Sequence, residues 1–136
     1  MTQYLLDTNH ATRLLAGEQT IVEKVRGLEG AGHTFGVSMT VLGELYFAVE
    51  ASARREKNLV SLHDFMRSAV LWDFDQVAAH EFGRVQAEQK RKGRPIPATD
   101  AQIAAVARIH GLTVLTADAH FLLVDKLTVE NWLEVR

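Results

Sequence analysis

The sequence predicts a layered α/β domain whose mostly parallel central sheet is flanked by helices. Two observations predict it. Short apolar runs alternate along the chain with longer stretches in which apolar residues recur at spacings of three and four. Strands separated by helices in this way join in parallel, because each helix carries the chain back to the same end of the sheet. At 136 residues the chain is one domain by size, residues 1–136, long enough to bury a core without staples.

The elements follow in order. "YLL" is a short buried strand ending at Asp7, and Asn9 to Leu15 a first helix, capped by Thr8 or Asn9 and stopped at Gly17. A second helix carries Ile21, Val25 and Leu28 on one side and ends in the Gly30–Gly32 turn. "TFGVSM" is a strand, and Thr40 is placed to cap the helix that contains Glu44. The stretch "ASARREKNLVSLHDFMRSA" aligns Leu59, Leu62, Phe65, Met66 and Ala69 in one stripe. "VLWDF" is a strand, and Asp75 caps a helix running to Gly93. "RPIPATD" is a loop, since Pro95 and Pro97 hold their predecessors out of helical geometry. "DAQIAAVARIHG" is a helix closed by Gly111, "LTVLT" a strand, and "LTVENWLEV" an edge strand.

Composition narrows the chemistry. The apolar fraction of 47% and charged fraction of 24% are those of an ordinary globular protein. With no cysteine, disulfides, thiolate metal sites and cysteine nucleophiles are excluded. The N-terminus has no basic region leading into a long apolar run, and no run is long enough to span a bilayer, so a cytoplasmic protein is expected. The net charge of −2 does not by itself announce a nucleic-acid partner. If four of the 17 acids share one metal-filled pocket, however, 15 basic residues face 13 acidic ones and the remainder is positive. Lys90, Arg91, Lys92 and Arg94 in "QKRKGR" then have two readings: cations closing a helix, or a patch that tracks phosphates.

Four carboxylates hold the functional signal. Open parallel sheets bind ligands beyond the carboxyl ends of their strands. Asp7 directly follows one strand, and Thr116 and Asp118 directly follow another. Asp100 begins a helix and shares a face with Ile103, Ala104, Ala107 and Gly111. Glu44 is the single charge in "VLGELYFAV", on a face with Val41, Phe47, Ala48 and Ala51, and is expected to point at apolar matter. Each alone has an ordinary structural role as a cap or turn residue. Together at one rim they repel, and some would protonate unless a cation sits among them. Oxygen ligands without cysteine or paired histidines select a hard ion, Mg²⁺ or Mn²⁺. The histidines at 33, 63, 80, 110 and 120 form no paired ligand spacing; His10 reads as a loop or packing residue, and His120 draws notice only because it lies near Asp118.

"LLDTNH", Glu44 after "VSMT", and "RPIPATDAQIAAVARIHGLTVLTADAHF" resemble a PIN domain over nearly the whole chain, and more narrowly the VapC-type toxins of bacterial toxin–antitoxin pairs. The resemblance implies a PIN-like three-layer fold and a Mg²⁺- or Mn²⁺-dependent endoribonuclease leaving 5′-phosphate and 3′-hydroxyl ends. It also implies an antitoxin that covers the site, and a homodimer. It assigns Asp7, Glu44, Asp100 and Asp118 as catalytic and metal-binding, with Thr8 and Asn9 stiffening the Asp7 loop and Thr116 hydrogen-bonding within the site.

Three other readings compete. A phosphoacceptor receiver domain would show paired acids after the first strand and a lysine after the last, and neither is present. A catalytically weak binding module would have lost one or more acids, yet all four stand. A DNA-directed nuclease with the same metal chemistry is not separated from an RNA-directed one by these residues, because no aromatic platform decides the substrate.

Overall fold

Residues 1–133 are described by the computed structural model of the protein. The strands are β1 (Gln3–Leu6), β2 (Thr34–Ser38), β3 (Val70–Trp72), β4 (Thr113–Leu115) and β5 (Thr128–Glu130). Between β1 and β2 lie α1 (Thr8–Leu15) and α2 (Gln19–Gly30), and between β2 and β3 lie α3 (Met39–Glu50) and α4 (Arg55–Ser68). Then α5 (Gln76–Arg91) and α6 (Ala98–His110) lead to β4, and a 3₁₀ turn, η1 (Ala119–Leu123), leads to β5. The sheet order is β3-β2-β1-β4-β5, and every neighbouring pair is parallel. The last strand is an edge strand as expected, though shorter than "LTVENWLEV"; residues 134 and 135 of that stretch lie outside the described residues.

Burial explains why the central strands read as continuous apolar runs. Tyr4, Leu5 and Leu6 of β1 and Thr113, Val114 and Leu115 of β4 are all buried. Successive strand side chains point to opposite faces, so both faces of the sheet are covered. Gly36 of β2 pairs with Leu5 on one side and Val70 on the other. A Cβ there would collide with the Val70 carbonyl oxygen, so the close approach of β3 requires glycine.

Three helix starts differ from the sequence reading by one or two residues. Asp7, not Thr8 or Asn9, caps α1: its backbone is still extended, and its Oδ1 accepts from Thr8 N at 2.8 Å. Ser38, not Thr40, caps α3 by accepting from Val41 N at 3.3 Å, because β2 ends there without a loop. The Thr40 hydroxyl is left to donate to Gln102 Oε1 of α6 at 2.8 Å. Helix α6 begins behind Pro97, so Asp100 stands inside its first turn. Gly111 closes that helix in the left-handed region, as its position suggested.

Helices α5 and α6 are fastened by charge. Arg108 of α6, with a side chain only 9% exposed, reaches Glu81 at 2.7 Å and holds Glu88 through two nitrogens at 2.8 and 2.9 Å. The Arg108 hydrogen bonds hold Glu88 below its ordinary pKa. Burial alone would raise Glu81, and the bonds from Arg108 and Arg84 outweigh it. Removing the guanidinium would leave Glu88 without its ion pair and Glu81 with Arg84 alone, which destabilises the α5–α6 contact.

His10 is a packing residue, as expected. It is fully buried, its Nδ1 lies 2.7 Å from Asn9 Oδ1, and its Nε2 accepts from Trp132 N at 3.0 Å. The second bond makes Nε2 the unprotonated nitrogen of a neutral ring. Trp132 is thereby set edge-on against Tyr4 and Phe35. Burial, and then the Arg13 charge, lower the His10 pKa to about 4. Between its ordinary value near 6.5 and about 4 the unfolded chain takes a proton that the folded chain refuses. Stability is therefore expected to fall as pH drops through that window, by roughly 3 kcal/mol at about 1.4 kcal/mol per pKa unit. Urea midpoints measured across the window should show this slope, and His10→Gln should flatten it. An equal slope in the variant would refute the assignment.

Candidate functional site

Asp7 and Thr116 leave adjacent parallel strands at the same level, since Leu6 pairs with Leu115. Asp7 N donates to Leu115 O at 2.9 Å, which extends the ladder by one bond. Beyond it the Thr116 hydroxyl donates to Asp7 Oδ2 at 2.7 Å and accepts from Asp118 N at 2.9 Å. One buried hydroxyl thus orients two acidic residues. Asn9 completes the tie: its amide donates to Asp7 Oδ2 at 3.3 Å and its carbonyl accepts from Ala117 N at 3.2 Å. Thr8 contributes its backbone N–H, while its side-chain oxygen is buried without a hydrogen-bond partner.

Asp100 enters from the first turn of α6 and is 9% exposed. Asp118 caps η1, accepting from His120 N at 2.9 Å. That turn swings the His120 ring back between the acids, with Nδ1 3.0 Å from both Asp100 Oδ2 and Asp118 Oδ1. Burial, and then repulsion from Asp118 and Asp7, raise the Asp100 pKa, while the His120 hydrogen bond opposes the rise. The Asp100 hydrogen bond and the neighbouring negative charges in turn raise that of His120. His120 is the residue whose place the sequence understated. Its signal was the "DAH" spacing, which puts a side chain beside Asp118 only when that residue caps a tight turn.

Glu44 is corrected. The buried stripe of α3 is Val41, Leu45 and Val49, and the face that Glu44 shares with Phe47 is open, with Phe47 75% exposed. Glu44 is exposed, so no buried partner is required to compensate it. It lies one turn beyond Thr40, whose bond to Gln102 brings this side of α3 against the start of α6. The structure therefore brings Asp7, Asp100, Asp118 and His120 together and leaves Glu44 on the rim.

The donor set suits a divalent cation. Asp100, Asp118 and His120 each offer a ligand atom, all within 4.8 Å of one another. Asp7 lies close enough to act on Asp100 by charge, and the unpartnered Thr8 hydroxyl sits at the same loop. A cation there would offset the burial and the repulsion that together raise the Asp100 pKa.

The family model described as "PIN domain" matches residues 4–127. "Ribonuclease VapC2" of Haemophilus influenzae is 32% identical over 98% of this chain and 100% of that protein. "tRNA(fMet)-specific endonuclease VapC" of Shigella flexneri is 31% identical over 97% of this chain and 99% of that protein. Among solved structures, VapBC2 from Rickettsia felis, bound to a DNA fragment from its promoter, superposes with a TM-score of 0.88. It is 26% identical, covering 96% of this chain and 99% of that one.

Because the folded state raises the Asp100 pKa, this group favours folding at low pH and loses that contribution as pH rises through its folded value. At neutral pH in chelator, Asp100→Asn should therefore melt at the same temperature or higher, although it weakens the His120 contact. Added Mg²⁺ or Mn²⁺ should raise the melting temperature of the unsubstituted protein and not that of the variant. An equal metal-induced rise in both would remove Asp100 from the ligand set.

Proposed function

The chain belongs to the PIN-domain family, and from that premise we propose that it is a divalent-metal-dependent endoribonuclease, the toxin of a toxin–antitoxin pair. The observation that carries this reading is the convergence of Asp7, Asp100 and Asp118 at the carboxyl rim of the sheet. The full-length likeness to proteins named as ribonucleases supports it. RNA is favoured over DNA on those names, and a catalytically weak binding module is disfavoured because all four acids are present in the sequence and three of them converge.

Asp7, Asp100 and Asp118 would hold Mg²⁺ or Mn²⁺, with Glu44 serving from the rim. When bound, such an ion lowers the pKa of a water and polarises a phosphoryl oxygen. The chain's own part is positioning. Thr116 and Asn9 lock Asp7 in one rotamer, so its charge needs no reorganisation when substrate arrives. Thr116 also fixes the turn that presents Asp118. His120, with a side chain 45% exposed, stands at the entrance, where it can donate to a phosphate or ligate as a nitrogen donor.

A nuclease lethal to its host must be restrained, and the molecule offers a second surface for that. Leu14, Leu15, Val22, Val25, Phe35 and Phe65 line a groove of about 540 Å³ between α1, α2 and α4. A smaller cavity of about 220 Å³ adjoins it, sharing Leu15 and Ser61. Helix α1 runs from Asp7 at the acids to Leu15 at the groove, a span of about 12 Å at about 1.5 Å per residue. A VapB-like antitoxin whose apolar segment fills this groove can thus reach the acidic pocket with an Arg or Lys and compete with the metal.

Two outcomes test the proposal. Cleavage of RNA should leave a 5′-phosphate and a 3′-hydroxyl, stop in chelator, and fall by orders of magnitude in Asp7→Asn. A 2′,3′-cyclic phosphate formed in chelator would refute the acidic mechanism and implicate His120. Co-purification with the small protein encoded beside it should yield a stable complex, and Val22→Glu should abolish that complex without unfolding the toxin. Separate elution at micromolar concentration would count against the antitoxin reading.

A further inference from the structure

The basic turn between α5 and α6 has an arrangement that helix capping does not explain. Lys90 and Arg91 lie in the last turn of α5, where cations suit the helix dipole. Arg94 lies beyond the helix, after Gly93 in the left-handed region at φ 68°. It is held there by Gln89, which is fully buried: Arg94 N donates to Gln89 O at 2.9 Å, and Gln89 Nε2 donates to Arg94 O at 2.9 Å. The backbone of the turn is pinned while the side chains of Lys90, Arg91 and Arg94 are exposed.

The neighbouring acids are already engaged. Glu81 and Glu88 belong to Arg108, and Asp125 pairs with Lys92 at 3.0 Å. Lys90, Arg91 and Arg94 have no ion-pair partner among the described residues, so three positive charges project from one turn.

That turn is also tied to the catalytic rim at two points. The Lys92 ammonium donates to Leu123 O at 3.1 Å, at the far end of the η1 turn that Asp118 caps. Five residues of 3₁₀ turn at about 2.0 Å each place this anchor roughly 10 Å from Asp118. On the other side Arg94 precedes Asp100 by six positions, a reach of at most about 20 Å. The site itself is acidic and repels a polyanion, so a strand needs a cationic seat beside it.

We infer that Lys90, Arg91 and Arg94 form a preorganised phosphate-binding seat for the single-stranded RNA flanking the scissile bond. The inference rests on the ribonuclease reading and adds the surface that holds the substrate. Lys92 is not part of the seat; it anchors the turn to η1. Because the contacts are to phosphates, the seat sets affinity and register and carries no sequence preference.

Binding of a labelled, mixed-sequence single-stranded RNA by the full chain tests this, with Asp100→Asn in every protein so that nothing is cleaved. Affinity is read by fluorescence anisotropy over a range of salt concentrations. Lys90→Gln/Arg91→Gln/Arg94→Gln should reduce the slope of log K against log salt by about 2, at about 0.7 for each phosphate of a single strand that is no longer neutralised. A control with the same change in charge, Arg54→Gln/Lys57→Gln/Arg67→Gln, should keep the slope, and circular dichroism melting should show both variants folded. An unchanged slope in the first variant, or an equal reduction in the control, overturns the seat. So does weaker antitoxin capture with unaltered RNA binding, which would make the turn a protein contact. If the Asp100→Asn parent binds no RNA and the unsubstituted protein cleaves none, the ribonuclease reading falls and the seat with it; cleavage by the unsubstituted protein with an unchanged variant slope removes the seat alone.

Discussion

The molecule is organised around the hydrogen bond from Thr116 to Asp7. It joins the ends of the two central strands and does so through a carboxylate that is only 6% exposed. The same carboxylate caps α1, so one side chain closes a strand pair, starts a helix and contributes negative charge to the site. Burying an ionised group costs several kcal/mol unless hydrogen bonds replace water, and Thr8 N, Asn9 and Thr116 supply them. Asp7 is thus satisfied before any ligand arrives.

Asp100 and Asp118 are less fully compensated. Burial, and then their proximity, raise the Asp100 pKa, and the group that stands between them among the described residues and can take up a positive charge is the half-exposed His120. This imbalance is what a cation would settle, and it has a counterpart at the other end of α6. There Arg108 sits among Glu81 and Glu88 with every nitrogen directed at an oxygen. One cluster has its positive charge supplied by the chain and fastens two helices; the other has a deficit of positive charge at the sheet rim. The first ties together α5 and α6, the two helices that the basic turn connects.

The two flanks of the acidic pocket differ in chemistry. On one side α1 links the acids to the apolar groove, the surface suited to an antitoxin. On the other the α5–α6 turn presents basic side chains suited to RNA. On the proposed reading, restraint and substrate binding would approach the same carboxylates from these two flanks, and no helix among the described residues is long and apolar enough to cross a membrane.

Much of this was legible in the residues themselves. Alternating apolar runs and helical stripes identify the layers, since burial on both faces leaves central strands few polar positions. Asp7, Thr116 and Asp118 follow their strands so closely that the parallel order alone brings them to one rim. The caps of α1 and α3 were displaced because a sequence shows which residues are able to cap and not where the strand before them stops. Glu44 was misplaced for a related reason: the helical face it shares with Val41 is also shared with Phe47, and only packing against neighbouring elements decides which side is covered. The place of His120 depends on the tightness of η1 and on the approach of Asp100 from α6, which adjacent residues do not reveal. Local periodicity and spacing thus determined the elements and the acidic set. Contacts between residues far apart in sequence decided which charges are buried, paired or left open, because solvation and Coulomb energy depend on the surroundings in space and not on the neighbours along the chain.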